Sequence, residues 1–292
     1  MAITRGRQFK NAGVHNGTFS IIGIYYFKDG PGLRMRVRLL IMLAKSRRWC
    51  EECTKTKEKL PGVDKVYFGD TLHLPYGDKS DEAIRSFSRE IVGFLAAQGC
   101  EIIVIACNSA SAAAGLMLEE SFPDLTFINV IDPVVAALAE SKPQKTALLG
   151  TRATVRSGAY TKRLASLEVP HELVELPTPL LVPLIEDGFL GTGIEESVLE
   201  HYLNDPALEG IQAIVPGCTH YPLLREVATR LRPGIDWIDA PSIVADAVLA
   251  AYGTAQTGTG TTAYYLSDPT PSFLKLASST FKIKANWIKK ML

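Results

Sequence analysis

The sequence has few cysteines, no clustered histidines and no long apolar run, and each lack narrows what the chain can be. Five cysteines in 292 residues do not make a disulfide framework, and the odd count fits free thiols in a reducing compartment. Cys50 and Cys53 form one C-x-x-C pair, but zinc would need two further ligands at comparable spacing. The five histidines (His15, His73, His171, His201 and His220) are scattered, so no metal site is expected. The same pair sits in a charged run with no apolar strand before it, which argues against a redox motif. No segment approaches the roughly 18 apolar residues of a membrane span, and residues 39–44 are far too short. Walker, H-E-x-x-H, G-x-S-x-G and EF-hand patterns are absent.

A chain of this length is expected to form two domains or two fused halves. With 47% hydrophobic and 21% charged residues it can bury a substantial core, as soluble globular proteins do. Basic and acidic residues balance at 31 each, yet residues 1–60 carry 13 Lys/Arg against 4 Asp/Glu. Arg5, Arg7, Lys10 and Lys28 precede the first acid, a faint likeness to an organelle transit peptide. The basic segment has little aromatic interleaving, so no nucleic-acid partner is expected. The expected organisation is an atypical basic segment at 1–60 opening the first domain, the core of that domain at 61–132, a second domain at 133–241, and residues 242–292 returning to the first.

Residues 20–27 read as a buried strand. Residues 33–39 alternate like a half-exposed strand, whereas 40–44 are apolar at every position, and the two patterns conflict. Residues 45–59 read as a solvated helix or loop. Beyond residue 60, strands and helices alternate. Strands are expected at 65–69, 102–105, 127–131, 145–150, 170–176, 211–216 and 236–239, with an edge strand at 263–267. Ser80 opens a helix carrying Ile84, Phe87, Ile91, Phe94 and Leu95 at helical spacing, and Gly99 ends it. Further helices are expected at 110–120, 133–140, 194–204, 223–231, 242–252 and 271–281, with a loop and helix together over 151–167, a short helix or turn at 180–188 and a low-complexity loop at 253–262. This rhythm implies an α/β protein with parallel sheets covered by helices on both faces. Such sheets bind ligands at the carboxyl ends of their strands.

Two cysteines fall at such ends. Cys107 follows the apolar run 102–106 and precedes Asn108-Ser109-Ala110; Cys218 follows Ile214-Val215-Pro216-Gly217 and precedes Thr219-His220-Tyr221. A thiol between a strand and a helix N-terminus meets unsatisfied N–H groups and the helix dipole, which can bring its pKa from about 8.5 toward neutrality. The same N–H groups can hold a carboxylate. Two facing thiols could remove a proton from one face of a carbon and deliver one to the other. A lone cysteine after an apolar strand is more often plain core, and Cys100 fits that description.

The ordered motifs Phe68-Gly-Asp-Thr71, Leu74-Pro-Tyr-Gly-Asp-Lys-Ser80, Ala106-Cys-Asn-Ser-Ala-Ser111, Ala153-Thr-Val-Arg-Ser157, Leu181-Val-Pro-Leu-Ile-Glu-Asp-Gly188 and Gly217-Cys-Thr-His-Tyr-Pro-Leu-Leu224 resemble those of bacterial glutamate racemases. The likeness runs from about residue 60 to about residue 281. It implies two pseudo-symmetric doubly wound domains with the active site in the cleft between them. It also implies cofactor-independent supply of D-glutamate for peptidoglycan, in the cytoplasm, by a homodimer with no membrane partner. By the resemblance Cys107 and Cys218 match the acid/base thiols, and Glu186 the carboxylate assisting His220 beside the second thiol. Tyr76, Gly77, Asn108, Ser109, Thr219 and His220 match the residues that hold the amino acid.

The chain departs from the pattern near its start. The family opens with a strand ending in Asp-Ser-Gly, whose Asp assists the first cysteine. Here Phe27 and Lys28 fall at the Asp-Ser positions and Asp29 lies two places late. A shifted reading frame, a different gene start or divergence would each produce such a segment. Two alternatives follow: a catalytically impaired homologue that only binds an amino acid, and a racemase of another acidic amino acid such as aspartate.

Overall fold

The computed structural model describes residues 38–44, 55–56, 58–142, 144–252, 259–269 and 287–292. The expected strand at 20–27, positions 27–29, Cys50, Cys53 and the expected helix at 271–281 lie outside the described residues. Among the described residues, ten strands form two all-parallel sheets. The first contains β1 (Arg38–Ala44), β2 (Asp64–Asp70), β3 (Cys100–Ile105), β4 (Thr126–Asn129), β9 (Thr262–Leu266) and β10 (Trp287–Lys289), in the order β10-β9-β2-β1-β3-β4. The second contains β5 (Lys145–Gly150), β6 (Glu172–Pro177), β7 (Ala213–Gly217) and β8 (Asp236–Trp237), in the order β6-β5-β7-β8. The α-helices bounded within the described residues are α1 (Asp81–Ala97), α2 (Asn108–Ser121), α3 (Ile131–Glu140), α4 (Arg152–Ser157), α5 (Ala159–Ala165), α6 (Leu181–Glu186), α7 (Ile194–Leu203), α8 (Arg225–Leu231) and α9 (Ala240–Tyr252).

Alternation along the strands explains how the two sheets share a core. Val66, Phe68, Ile103 and Ile105 face one way, into a core with α1 and α2. Ala147, Leu149 and Ile214 do the same for the second sheet, against α6, α7 and α8. The intervening residues Tyr67, Val104, Leu148 and Val215 belong to one common cluster with Val134, Leu138, Tyr160, Val244 and Val248. Successive strand residues point to opposite faces, and strands buried on both faces read as near-continuous apolar runs. Residues 39–44 have that composition, and β1 lies in the middle of its sheet, between β2 and β3.

Several elements differ from expectation. The strand at 262–266 is not an edge, because β10 pairs with its outer side. β4 ends at Asn129 rather than running to 131. The Asn129 carboxamide oxygen accepts the amide N–H groups of Ile131 and Asp132, both at 2.9 Å, and turns the chain into α3. α2 starts at Asn108, two residues early, because the Cys107 sulfur accepts the Ala110 amide at 3.4 Å and acts as N-cap. After Cys218 no α-helix begins at once: Tyr221–Leu224 form a 3-10 turn and α8 opens only at Arg225. The turn closes with short-range bonds from Tyr221 N to Cys218 O (3.0 Å) and from Leu223 N to His220 O (3.2 Å). The placement of a thiol at a helix N-terminus therefore holds for Cys107 and not for Cys218.

Candidate active site

The carboxyl ends of both sheets open on one cavity of about 170 Å³, and both strand-end thiols line it. So do all the other residues singled out by the sequence: Tyr76, Gly77, Asn108, Ser109, Glu186, Thr219 and His220. Cys107 is delivered by the β3–α2 junction and Cys218 by the end of β7. The segment containing Tyr76 follows β2, and Glu186 closes α6.

The Cys218 side carries a short chain of buried polar groups. Cys218 Sγ lies 3.4 Å from His220 Nδ1, and His220 Nε2 lies 2.7 Å from Glu186 Oε1. Cys218, His220 and Glu186 are all buried. A carboxylate can only accept, so the imidazole places its N–H on Nε2 and turns the Nδ1 lone pair toward the thiol. Nδ1 can then take the thiol proton and return it. Behind Cys218, Tyr221 is fully buried, and its hydroxyl bonds Thr178 Oγ1 at 2.8 Å and donates to Thr178 O at 3.1 Å. Burial, reinforced by the neighbouring Cys218, pushes the Tyr221 hydroxyl well above the usual tyrosine range.

On the Cys107 side, Tyr76 donates its hydroxyl to Asp70 Oδ2 at 2.6 Å. Burial first, then the Asp70 carboxylate and the Cys107 thiol, holds this hydroxyl far above its ordinary value as well. Asn108 is fixed by Tyr160, whose hydroxyl donates to Asn108 Oδ1 at 2.6 Å. Ser109 Oγ lies 2.9 Å from Thr151 Oγ1 at the cavity wall, and Thr151 Oγ1 lies 3.0 Å from the buried Thr154 Oγ1 behind it. Gly77 lies so close to Thr151 that a Cβ there would fall 2.8 Å from the threonine Cβ. The rim is tied by ion pairs between Arg152 and Asp78 (3.2 Å) and between Arg156 and Asp81 (3.0 Å).

The sequence reading did not single out Thr151, Arg152, Thr178, Val182, Asp187 or Tyr221, all of which line the same cavity. The Thr151-x-x-Thr154 spacing was the available signal: Thr151 Oγ1 accepts the Thr154 amide as the N-cap of α4. Among the described residues no group of three or more His, Cys, Asp or Glu is arranged to hold a metal ion, and no helix is long and apolar enough to cross a membrane.

A model of the Asp/Glu/Hydantoin racemase family matches residues 48–248. The glutamate racemase of Persephonella marina is 36% identical over 219 residues, covering 75% of this chain and 83% of that protein. The crystal structure of glutamate racemase from Thermus thermophilus in complex with beta-chloro-D-alanine has a TM-score of 0.77 at 30% identity, with 88% of this chain and 98% of that one covered. The glutamate racemase of Francisella tularensis in complex with D-glutamate gives a TM-score of 0.77 at 26% identity and the same two coverages, 88% and 98%.

Proposed function

The chain belongs to the Asp/Glu/Hydantoin racemase family, and from that premise we propose that it interconverts L- and D-glutamate without a cofactor, with Cys107 and Cys218 as the two acid/base groups. The observation that carries this reading is that both thiols line a single cavity together with Asn108, Ser109, Thr219 and the Tyr76-Gly77 segment. Those polar groups hold the amino acid, with its α-carbon between the sulfurs. One cysteine, as thiolate, takes the α-proton; the other, as thiol, gives its proton to the opposite face. Each turnover leaves the first sulfur protonated and the second as thiolate, the state suited to the reverse reaction.

The two thiols are assisted differently. Cys107 has the N-terminus of α2 and the Ala110 N–H to favour its anion. Cys218 has the His220 imidazole, oriented by Glu186, as proton acceptor and donor. The decisive experiment is incubation of each glutamate enantiomer with the protein in deuterated water. Deuterium at the α-carbon is expected for both, lost in Cys107→Ala and Cys218→Ala. No exchange on either enantiomer would overturn the reading, and faster exchange on aspartate would reassign the substrate. We further propose that the product serves peptidoglycan synthesis in the cytoplasm, tested by rescue of a D-glutamate auxotroph. A homodimer is proposed as the working form, tested by sedimentation equilibrium.

A further inference from the structure

Asp70 ends β2 with its side chain only 2% exposed, and both of its carboxylate oxygens are engaged. Oδ2 accepts the Tyr76 hydroxyl at 2.6 Å, Oδ1 accepts the Ser267 hydroxyl at 2.8 Å, and His73 Nδ1 stands 3.0 Å from each oxygen. His73 is itself held by stacking on Phe87, with ring centroids 4.0 Å apart and planes at 11°. A buried carboxylate with three side-chain partners is a costly arrangement whose geometry is fixed from every side.

The strand register shows where this charge sits relative to the site. Ala44 of β1 pairs with Asp70, while Met42 of β1 pairs with Ile105 of β3. Two residues further along, Ala44 comes level with Cys107, so Asp70 and Cys107 stand at the same height on either side of the β1 end. Two strand spacings separate their backbones by about 10 Å. Tyr76 donates to Asp70 and shares both the cavity wall and a buried cluster with Cys107. The residue of β1 at this height is an alanine, and among the described residues Asp70 of β2 places a buried carboxylate at this level.

We propose that Asp70, anchored by His73 and Ser267, is the positioning carboxylate of the Cys107 half of the site and acts through the Tyr76 hydroxyl. It is the counterpart of Glu186 in the Cys218 half, with a phenol in place of the imidazole. The proposal rests on the two-thiol racemase reading. With its hydroxyl pinned by Asp70, the Tyr76 ring keeps one orientation against Cys107 and the bound amino acid. Neither Asp70 nor His73 touches the reacting atoms.

The test uses the full chain with L- and D-glutamate carrying deuterium at the α-carbon. In the wild type each enantiomer gives its own isotope effect on kcat/KM. Asp70→Asn is expected to lower kcat about 10- to 100-fold, the size of one charge-assisted hydrogen bond. It should also raise the isotope effect for the enantiomer that Cys107 deprotonates and lower it for the other. A merely structural defect would slow both directions and leave the ratio of the two isotope effects unchanged. His73→Gln, at a side chain 30% exposed, is expected to shift the ratio the same way by a smaller amount, and it carries the test if Asp70→Asn fails to fold. Tyr76→Phe should match Asp70→Asn, and the double variant should be no slower than either. An unchanged ratio in the folded variants, with the wild type active, overturns this inference and leaves the racemase reading standing. A wild type without α-proton exchange overturns both.

Discussion

Glu186→Gln isolates the charge that orients His220. The Glu186–His220 contact is 2.7 Å, with the two side chains 6% and 3% exposed, so solvent neither screens it nor replaces it. A hydrogen bond to a charged group in such a place contributes about 1.5–3 kcal/mol, which at about 1.4 kcal/mol per decade corresponds to roughly a 10- to 150-fold change in rate. Glutamine can keep its carbonyl oxygen toward Nε2–H and so preserve the tautomer, but it cannot stabilise the imidazolium that the proposed relay forms when Nδ1 takes the Cys218 proton. The expected result is a fall in kcat of that size, with KM changed less than threefold and unfolding little altered. Glu186→Leu removes the acceptor as well and leaves a buried N–H unpaired, at a further cost of about 1–3 kcal/mol in stability. Steady-state kinetics with both enantiomers and urea unfolding measure the two effects separately. If Glu186→Gln kept the wild-type kcat while His220→Asn lost it, the imidazole would act without the carboxylate and the proposed relay would be wrong.

Three further outcomes follow from the packing. Gly77→Ala should depress kcat/KM by at least tenfold, because its Cβ would meet Thr151 Cβ at 2.8 Å and Cγ2 at 3.0 Å at the cavity wall; Thr151→Ser in the same chain removes only the Cγ2 contact and should restore a minor part of the loss in the same kinetic assay. Gly217→Ala should lower stability by about 1–3 kcal/mol, since its Cβ would lie 2.6 Å from Leu148 Cδ1 and 2.8 Å from the Leu149 carbonyl oxygen; urea unfolding reads this directly. Burial opposes ionisation of Asp64, but hydrogen bonds from the hydroxyls and amides of Thr261 and Thr259 prevail and hold it at about 2. Its folded-state value is depressed, so its stabilisation is present above about pH 4 and is lost as pH falls toward 2. The stability gap between wild type and Asp64→Asn should therefore be flat at neutral pH and close across that acid window.

The residues of the candidate cavity were legible where chemistry and chain pattern coincide in one stretch. Cys107 with Asn108-Ser109, and Cys218 with Thr219-His220, carry both the strand end and the reactive groups in consecutive residues, so reading the strand also located the thiols. Glu186 was reached through a family likeness, because nothing in a six-residue helix ending reveals that its carboxylate points at a histidine 34 positions away. Thr151, Thr178 and Tyr221 were missed for a related reason: each looks like an ordinary cap or core residue until the second sheet brings it to the cavity. The fold was legible because buried parallel strands are apolar on both faces, whereas turn chemistry was not. The Asn129 side chain ends β4 early, and a 3-10 turn over Tyr221–Leu224 stands where a helix start was expected after Cys218. That last difference bears on mechanism. A thiol without an α-helix N-terminus lacks the dipole that favours its anion, and Cys218 is the one with an imidazole beside it, whereas Cys107 has the helix. In the proposed mechanism the two halves thus reach a reactive sulfur by different physical means. Mutations that remove a helix N–H environment should therefore act on Cys107 alone, and mutations of His220 or Glu186 on Cys218 alone, as separate isotope effects for the two enantiomers would show.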